Sequence, residues 1–283
     1  MEKILVTGAG GFAGRHIAEY LYRNGYDVTG TVYRNIPPVD FSVIPCDLSQ
    51  AIHMEKDFDV IVHAAGSLPY KEQDFRLFKR NNVDSMENLL SFARRKKIKR
   101  IVYLSTIGVY GEFRDEIITE ESDRINADAY GLTKYMAECL LRAEPGIENI
   151  SLRMPGIIGP GVGGVWFTNT VEKFRRNEDV VIYSPEFQTR NFVWIGDLCK
   201  FICHLLEIDL WKENILLLGS KEKITILELV EHMKSAIGST SNIAVKKNIR
   251  KPFVLDTSRA FRMGYDPLAP LEILTAYLSW GSV

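Results

Sequence analysis

Apolar positions along the 283-residue chain fall into short β-rich runs separated by longer stretches with helical spacing. Lys3-Ile4-Leu5-Val6-Thr7 reads as a buried strand, and Ile17 and Leu21 then continue a helix after a glycine-rich turn. Further strands are expected at 26–32, 42–46, 59–63, 101–104 and 150–153. Between Lys71 and Lys97, Phe75, Phe78, Val83, Met86, Leu89, Leu90 and Phe92 mark the apolar side of one long helix. Arg94-Arg95-Lys96-Lys97 closes it with positive charge suited to a helix C-terminus. A second long helix is expected over 130–143. The later part predicts a helix at 166–176, a strand at 180–183, a helix ending near Glu207, a strand at 214–218, a helix at 226–233 and a last helix after Pro270. Strands alternating with helices predict the α/β class.

The glycine turn refines this to a Rossmann-type doubly wound parallel sheet. Gly8, Gly11 and Gly14 stand three apart between strand and helix, and a second strand follows at the usual βαβ distance. Glycines so placed permit a tight turn, close backbone approach to a pyrophosphate and close helix–strand packing, so Gly8, Gly11, Phe12, Ala13 and Gly14 are expected to cradle a dinucleotide. Residues 1–160 form the dinucleotide-binding domain in this reading. Residues 161–283 form mainly a small C-terminal α/β cap, some segments of which can return to the main sheet. The second strand ends in Val32-Tyr33-Arg34, with no carboxylate to accept from a ribose. Arg34 offers a fork of donors to a 2′-phosphate, assisted by Arg15, so the expected cofactor is NADP, with NAD still open. Asp47 and Leu48 end the third strand and Ala64, Ala65 and Gly66 follow the fourth, where both face the cofactor crevice of such a sheet. His63 reads as a packed strand residue.

Composition bounds the partner. Formal net charge is −1 and charged residues make up 25% of the chain, so no electrostatic excess points to nucleic acid or a membrane surface. Met1-Glu2-Lys3 enters a strand at once, without a signal-peptide pattern, and no apolar run is long enough to span a bilayer. Cys46, Cys139, Cys199 and Cys203 lack redox or zinc spacing. The expectation is a cytoplasmic protein with reduced thiols, no bound metal and a small-molecule substrate.

Chemistry concentrates in Tyr130-Gly131-Leu132-Thr133-Lys134. A phenol and an amine four residues apart share a helix face, and an ammonium beside a phenol favours the phenolate. Upstream, a strand delivers Ser105-Thr106-Ile107-Gly108-Val109-Tyr110-Gly111 to the same end of the sheet. The glycine turn, the Leu-Ser-Thr run ending in Val-Tyr-Gly and the Tyr-x-x-x-Lys spacing, in that order, resemble the extended short-chain dehydrogenase/reductase family. The similarity runs from Lys3 to about Leu152 and is nearest to the NAD(P)-dependent nucleotide-sugar epimerase, dehydratase and ketoreductase branch.

The resemblance implies Tyr130 as catalytic acid/base, Lys134 as the residue that lowers its pKa and holds the nicotinamide ribose, and Thr106 as the substrate-binding hydroxyl. Ser105 is a second substrate candidate, because a one-residue shift would exchange the two. It also implies that Asn81 or its neighbour Asn82 approaches the cofactor, that the turn at Pro155 holds the nicotinamide carboxamide, that Arg190 contacts the nucleotide diphosphate, and that the C-terminal cap binds substrate. The usual substrate-domain arginine near a Pro-Gly pair has no clear match, although Arg250-Lys251-Pro252 lies nearby. Dehydratases of the family carry Asp-Glu after the threonine, whereas Ile107 and Gly108 stand here, which argues against dehydration. Reduction of a 4-keto nucleotide sugar is therefore expected, with a 4-epimerase that retains NAD as the alternative. A non-catalytic NAD(P)-sensing regulator is the reading from a different class, and the intact Tyr130 and Lys134 argue against it. A homodimer paired through the two long helices is the implied assembly.

Overall fold

A computed structural model describes residues 1–34, 36–69, 74–246 and 252–280. The expected α/β architecture is present. Its main sheet comprises β1 (Lys3–Thr7), β2 (Asp27–Val32), β3 (Ser42–Pro45), β4 (Val60–His63), β5 (Arg100–Thr106), β6 (Glu148–Met154) and β7 (Ile215–Leu217), in the order β7-β6-β5-β4-β1-β2-β3. β1 pairs in parallel with β2 and β4, β2 with β3, and β4 with β5. Ile4, Leu5 and Val6 are wholly buried, as expected of a central strand covered on both faces. The strand order runs one way from β1 to β3 and the other way from β4 to β7. That makes the C-terminal ends of β1 and β4 the switch point, where a crevice opens in folds of this kind.

Helix α1 (Phe12–Arg23) follows β1, with Gly14, Ile17, Ala18 and Leu21 on its buried side. The segment expected as one helix from Lys71 is divided: residues 71–73 lie outside the described residues, Phe75–Phe78 is α-helical, Lys79–Asp84 is a π turn, and α2 (Ser85–Lys96) resumes the regular helix. The basic run at its end is tied locally: Arg94 pairs with Glu144 at 2.6 Å, Arg95 donates to Ile52 O at 2.7 Å, and Lys97 takes the left-handed capping conformation at φ 56°. Helix α3 (Ala129–Ala143) starts at Asp128, whose Oδ1 accepts from Gly131 N at 2.7 Å. Met86, Leu89 and Phe92 of α2 and Ala137 and Leu141 of α3 join Leu5, Ile61 and Ile101 of the sheet in one core cluster.

The chain divides into two compact units. The first contains Met1–Glu112, Asp123–Arg153 and Leu198–Leu216, and the second contains Phe113–Ser122, Met154–Asp197 and Leu217–Val283. Helices Trp166–Arg175, Ile226–Ile237 and Pro270–Trp280 give the second unit its own core, around Phe167, Phe174, Val230, Met233 and Ile273. Short strand pairs complete it: Val180–Tyr183 with Ile243–Lys246, and Ile117–Ile118 with Val254–Leu255. Arg250 and Lys251 lie outside the described residues.

Candidate active site

The glycine turn is a place where side chains are sterically excluded. Gly8 has φ +72°, and a Cβ there would lie 2.8 Å from the Ala65 backbone; one on Gly14 would lie 2.3 Å from Gly8 O. β1, the start of α1 and the Ala64-Ala65-Gly66 loop after β4 therefore meet through bare backbone. Gly11 caps α1 without any side-chain hydrogen bond to the helix, and the first turn holds no acid. The N–H groups of Phe12 and Ala13 thus stand in the positive field of a helix N-terminus, which suits a pyrophosphate. The Ala9 N–H donates to Thr31 O at 2.8 Å, tying the turn to β2.

Around this cradle the other candidates are placed as follows. Asp47 accepts from Ser49 N at 3.0 Å and Ser49 Oγ at 2.7 Å, and pairs with Arg80 at 2.8 Å. Against the opposing effect of burial, those hydrogen bonds and the Arg80 charge hold its carboxyl below the ordinary range. The Leu48 carbonyl accepts from Asn88 Nδ2 at 3.0 Å. Arg34 is exposed, its guanidinium 4.8 Å from the centre of the Tyr33 ring, while Val32 is buried. Arg15 is paired with Glu19 at 2.8 Å. The π turn separates the two asparagines: Asn82 is buried, accepting from Ser67 N at 3.1 Å and donating to Thr133 Oγ1 at 3.0 Å, whereas the half-buried Asn81 donates to Ser67 Oγ at 2.7 Å. Pro155 and Arg190 belong to the second unit. There Arg190 donates to Ser220 O and Lys221 O, both at 2.8 Å.

Thr106, Tyr130 and Lys134 come together where β5 ends against α3. Thr106 closes β5 and caps a single 3-10 turn, Ile107–Tyr110, its Oγ1 accepting from Gly108 N at 3.0 Å. A Cβ on Gly131 would lie 2.0 Å from Gly108 O, so this turn and the first turn of α3 touch backbone to backbone. Thr106 Oγ1 and the Tyr130 ring consequently flank Gly108, at 3.3 Å and 3.7 Å from where its Cβ would be. The Tyr130 ring also packs on Phe78, with centroids 5.9 Å apart. One turn further along α3, Lys134 is 5% exposed; its Nζ donates to Leu104 O at 2.6 Å and sits 4.1 Å from the centre of the Tyr103 ring. Burial pulls this ammonium down to about 7, partly offset by Glu138.

Ser105 is turned elsewhere: it is buried and its hydroxyl donates to Glu138 Oε1 at 2.5 Å. Thr106, and not Ser105, is thus the hydroxyl beside Tyr130. Glu138 and its fully buried partner Arg153 went unread in the sequence, with Nη2–Oε2 2.7 Å apart and Arg153 Nη1 donating to Tyr110 Oη at 2.7 Å. The signal was present, since Tyr130, Lys134 and Glu138 recur at four-residue spacing on one face of α3. His63 is a buried strand residue as expected, its Nδ1 2.7 Å from Thr7 Oγ1 and its ring stacked on Tyr103. Burial and the nearby Lys134 charge hold it neutral, with a pKa pushed down to about 3.

A glycine cradle at a sheet switch point, followed by a Tyr–Lys pair beside a strand-end hydroxyl, defines a dinucleotide-dependent enzyme of the short-chain dehydrogenase/reductase class. The chain belongs to the NAD dependent epimerase/dehydratase family, which it matches over residues 4–218. A Methanocaldococcus jannaschii protein assigned by name as a UDP-glucose 4-epimerase is 30% identical over 95% of this chain and 94% of its own length. The UDP-N-acetyl-alpha-D-glucosaminuronate decarboxylase of Bacillus cytotoxicus is 26% identical over 86% of this chain and 82% of its own. Among solved structures, Bacillus cereus UDP-glucuronic acid 4-epimerase in complex with NAD superposes with a TM-score of 0.81 at 24% identity, covering 98% of each chain, which establishes the shared fold. No helix among the described residues is long and apolar enough to cross a membrane.

Proposed function

We propose that this chain is a nucleotide-sugar 4-epimerase that retains NAD through the catalytic cycle. The observation that carries the proposal is the placing of Tyr130 and Thr106 around Gly108 with Lys134 behind, in a chain alike over nearly its whole length to a protein assigned as a UDP-glucose 4-epimerase. The sequence had favoured a ketoreductase, and the relatives weigh toward the epimerase instead. When bound, NAD would supply a reversible hydride acceptor for the sugar carbon. Tyr130, as phenolate, takes the proton of the sugar hydroxyl and gives it back in the return step, while Lys134 supplies the positive charge that keeps the phenolate accessible. Thr106 directs its hydroxyl to the same sugar oxygen and so fixes the alcohol for proton transfer.

In this reading Gly8, Gly11, Phe12, Ala13 and Gly14 hold the pyrophosphate. Asp47 and Leu48 meet the adenine, and Ala64, Ala65 and Gly66 let the dinucleotide lie against backbone. Asn81 and Pro155 serve the nicotinamide end, and Arg190 serves the substrate diphosphate. One observation favours a second reading: exposed Arg34 with no acid at Val32 suits the 2′-phosphate of NADPH and hence a 4-keto sugar reductase. Nucleotide released from the purified protein by denaturation, together with turnover of a panel of UDP-hexoses without added cofactor, separates the two. The epimerase yields bound NAD and interconverts 4-epimers. A protein that instead oxidises added NADPH in step with a 4-keto sugar nucleotide, and interconverts nothing, is the reductase.

A further inference from the structure

Lys134 and Glu138 are held from the same strand end. The Leu104 carbonyl accepts from the ammonium at 2.6 Å, and the next residue, Ser105, donates its hydroxyl to the carboxylate at 2.5 Å. Arg153, 0% exposed, then clamps the 1%-exposed carboxylate through Nε and Nη2 and is itself anchored by Tyr110. A carboxylate this deeply buried is costly unless it is paired, and here both oxygens are satisfied. Its position is thereby fixed one helical turn from the amine, on the same face of α3.

We propose that Glu138 is a positioning residue for the reaction, its clamped carboxylate setting the charge state of Lys134 and through it the proton balance of Tyr130. The inference deepens the proposed function and rests on Tyr130 and Lys134 being the acid–base pair. On α3 the amine is faced by Tyr130 and Glu138; from β5 by Tyr103, a buried phenol; from β4 by His63, held neutral; and from the π turn by the uncharged Asn82, whose Oδ1 like the Lys134 amine lies within 4 Å of the Cβ position on Gly66. Behind the Glu138 carboxylate, β6 brings the positive Arg153. Of these, Glu138 carries the negative charge that opposes the effect of burial on Lys134. Without it, a wholly desolvated amine loses its proton at lower pH, and the phenolate loses its counter-charge across the neutral range.

The test reads Lys134 directly. Protein labelled with ¹³C at the lysine ε carbon is titrated by NMR, with the Lys134 resonance assigned from its absence in Lys134→Met. A midpoint near about 7 separates it from solvated lysines, which titrate around 10.4. Glu138→Gln is expected to lower the midpoint by about one pH unit, the size of effect an opposite charge at close range has on a buried group. Because that variant leaves Arg153 buried without its anion, the double variant Glu138→Gln/Arg153→Met is measured alongside. It removes both charges and is likewise expected to titrate below wild type. A midpoint unchanged in the folded double variant overturns the inference, even where the variant melts earlier, since a purely structural role moves the melting temperature and not the titration. The titration uses no sugar nucleotide, so absence of epimerisation in the wild type refutes the proposed activity and leaves this inference standing.

Discussion

Tyr130 is flanked by two polar residues: Thr106 across Gly108, and Lys134 one turn along the helix. Tyr130→Phe keeps the ring, its packing on Phe78 and the dinucleotide cradle while deleting the hydroxyl proposed to carry the proton. Turnover is expected to fall by about 10²–10⁴-fold, with cofactor still recovered from the purified variant. Undiminished turnover would exclude Tyr130 from proton transfer. Lys134 is a group whose role opposes stability. Its pKa falls from about 10.5 unfolded to about 7 folded, so the unfolded chain binds more protons between those values. The destabilisation is complete below pH 7 and fades as pH rises toward the unfolded value. Lys134→Met is therefore expected to be inactive yet more stable by about 1 kcal/mol or more near pH 6, with the advantage shrinking toward pH 10 in denaturant titrations. A variant less stable than wild type at pH 6 would show that the ammonium's hydrogen bond to Leu104 outweighs its desolvation. The Tyr–Lys pair was legible because four-residue spacing on a helix is local information; Glu138 shared the spacing, but its value depends on Arg153, which only the strand after α3 brings to it.

At the scale of elements, the local patterns sufficed for β1 to β6, α1, α2 and α3, since each carries its own apolar period or cap. The π turn at Lys79–Asp84 did not announce itself. One extra residue in a helix barely disturbs the spacing of apolar positions, yet it sends Asn82 inward to Thr133 and leaves Asn81 on Ser67. The strand at 180–183 carries its own apolar run and was legible, but its partner at 243–246 and the pair 117–118 with 254–255 were hidden, because strands so short are specified by what they meet rather than by their own residues. The contact of α3 with the turn after β5 gives a direct test. Gly131→Ala puts a methyl into Gly108 O and should separate the two turns, at a cost of about 1–3 kcal/mol in denaturant unfolding and with turnover falling further than the stability loss explains. Wild-type turnover in that variant would show that the backbone contact does not position Tyr130.

For the whole molecule, sequence order was enough to foresee a doubly wound sheet, and it left open which later strand would join it. Ile215–Leu217 takes the edge beside β6, a choice made by long-range packing that no local window contains. Leu132 and Met136 stand one turn apart on α3 and remain 42% and 38% exposed, an apolar stripe that a second copy would cover. Light scattering is expected to give about twice the 32.2 kDa chain mass, and Leu132→Glu/Met136→Glu about the single mass. A wild-type monomer at high micromolar concentration would count against the dimer.

The proposed epimerase would both remove and return the same hydrogen at a sugar carbon. This is tested most directly by following UDP-glucose carrying deuterium at C4, by NMR and mass spectrometry, in ordinary water with no cofactor added. The expected product is the 4-epimer with its deuterium kept at C4 and none released to solvent. Failure to form the 4-epimer, with NADPH oxidised one for one when a 4-keto sugar nucleotide is supplied, would contradict the proposal.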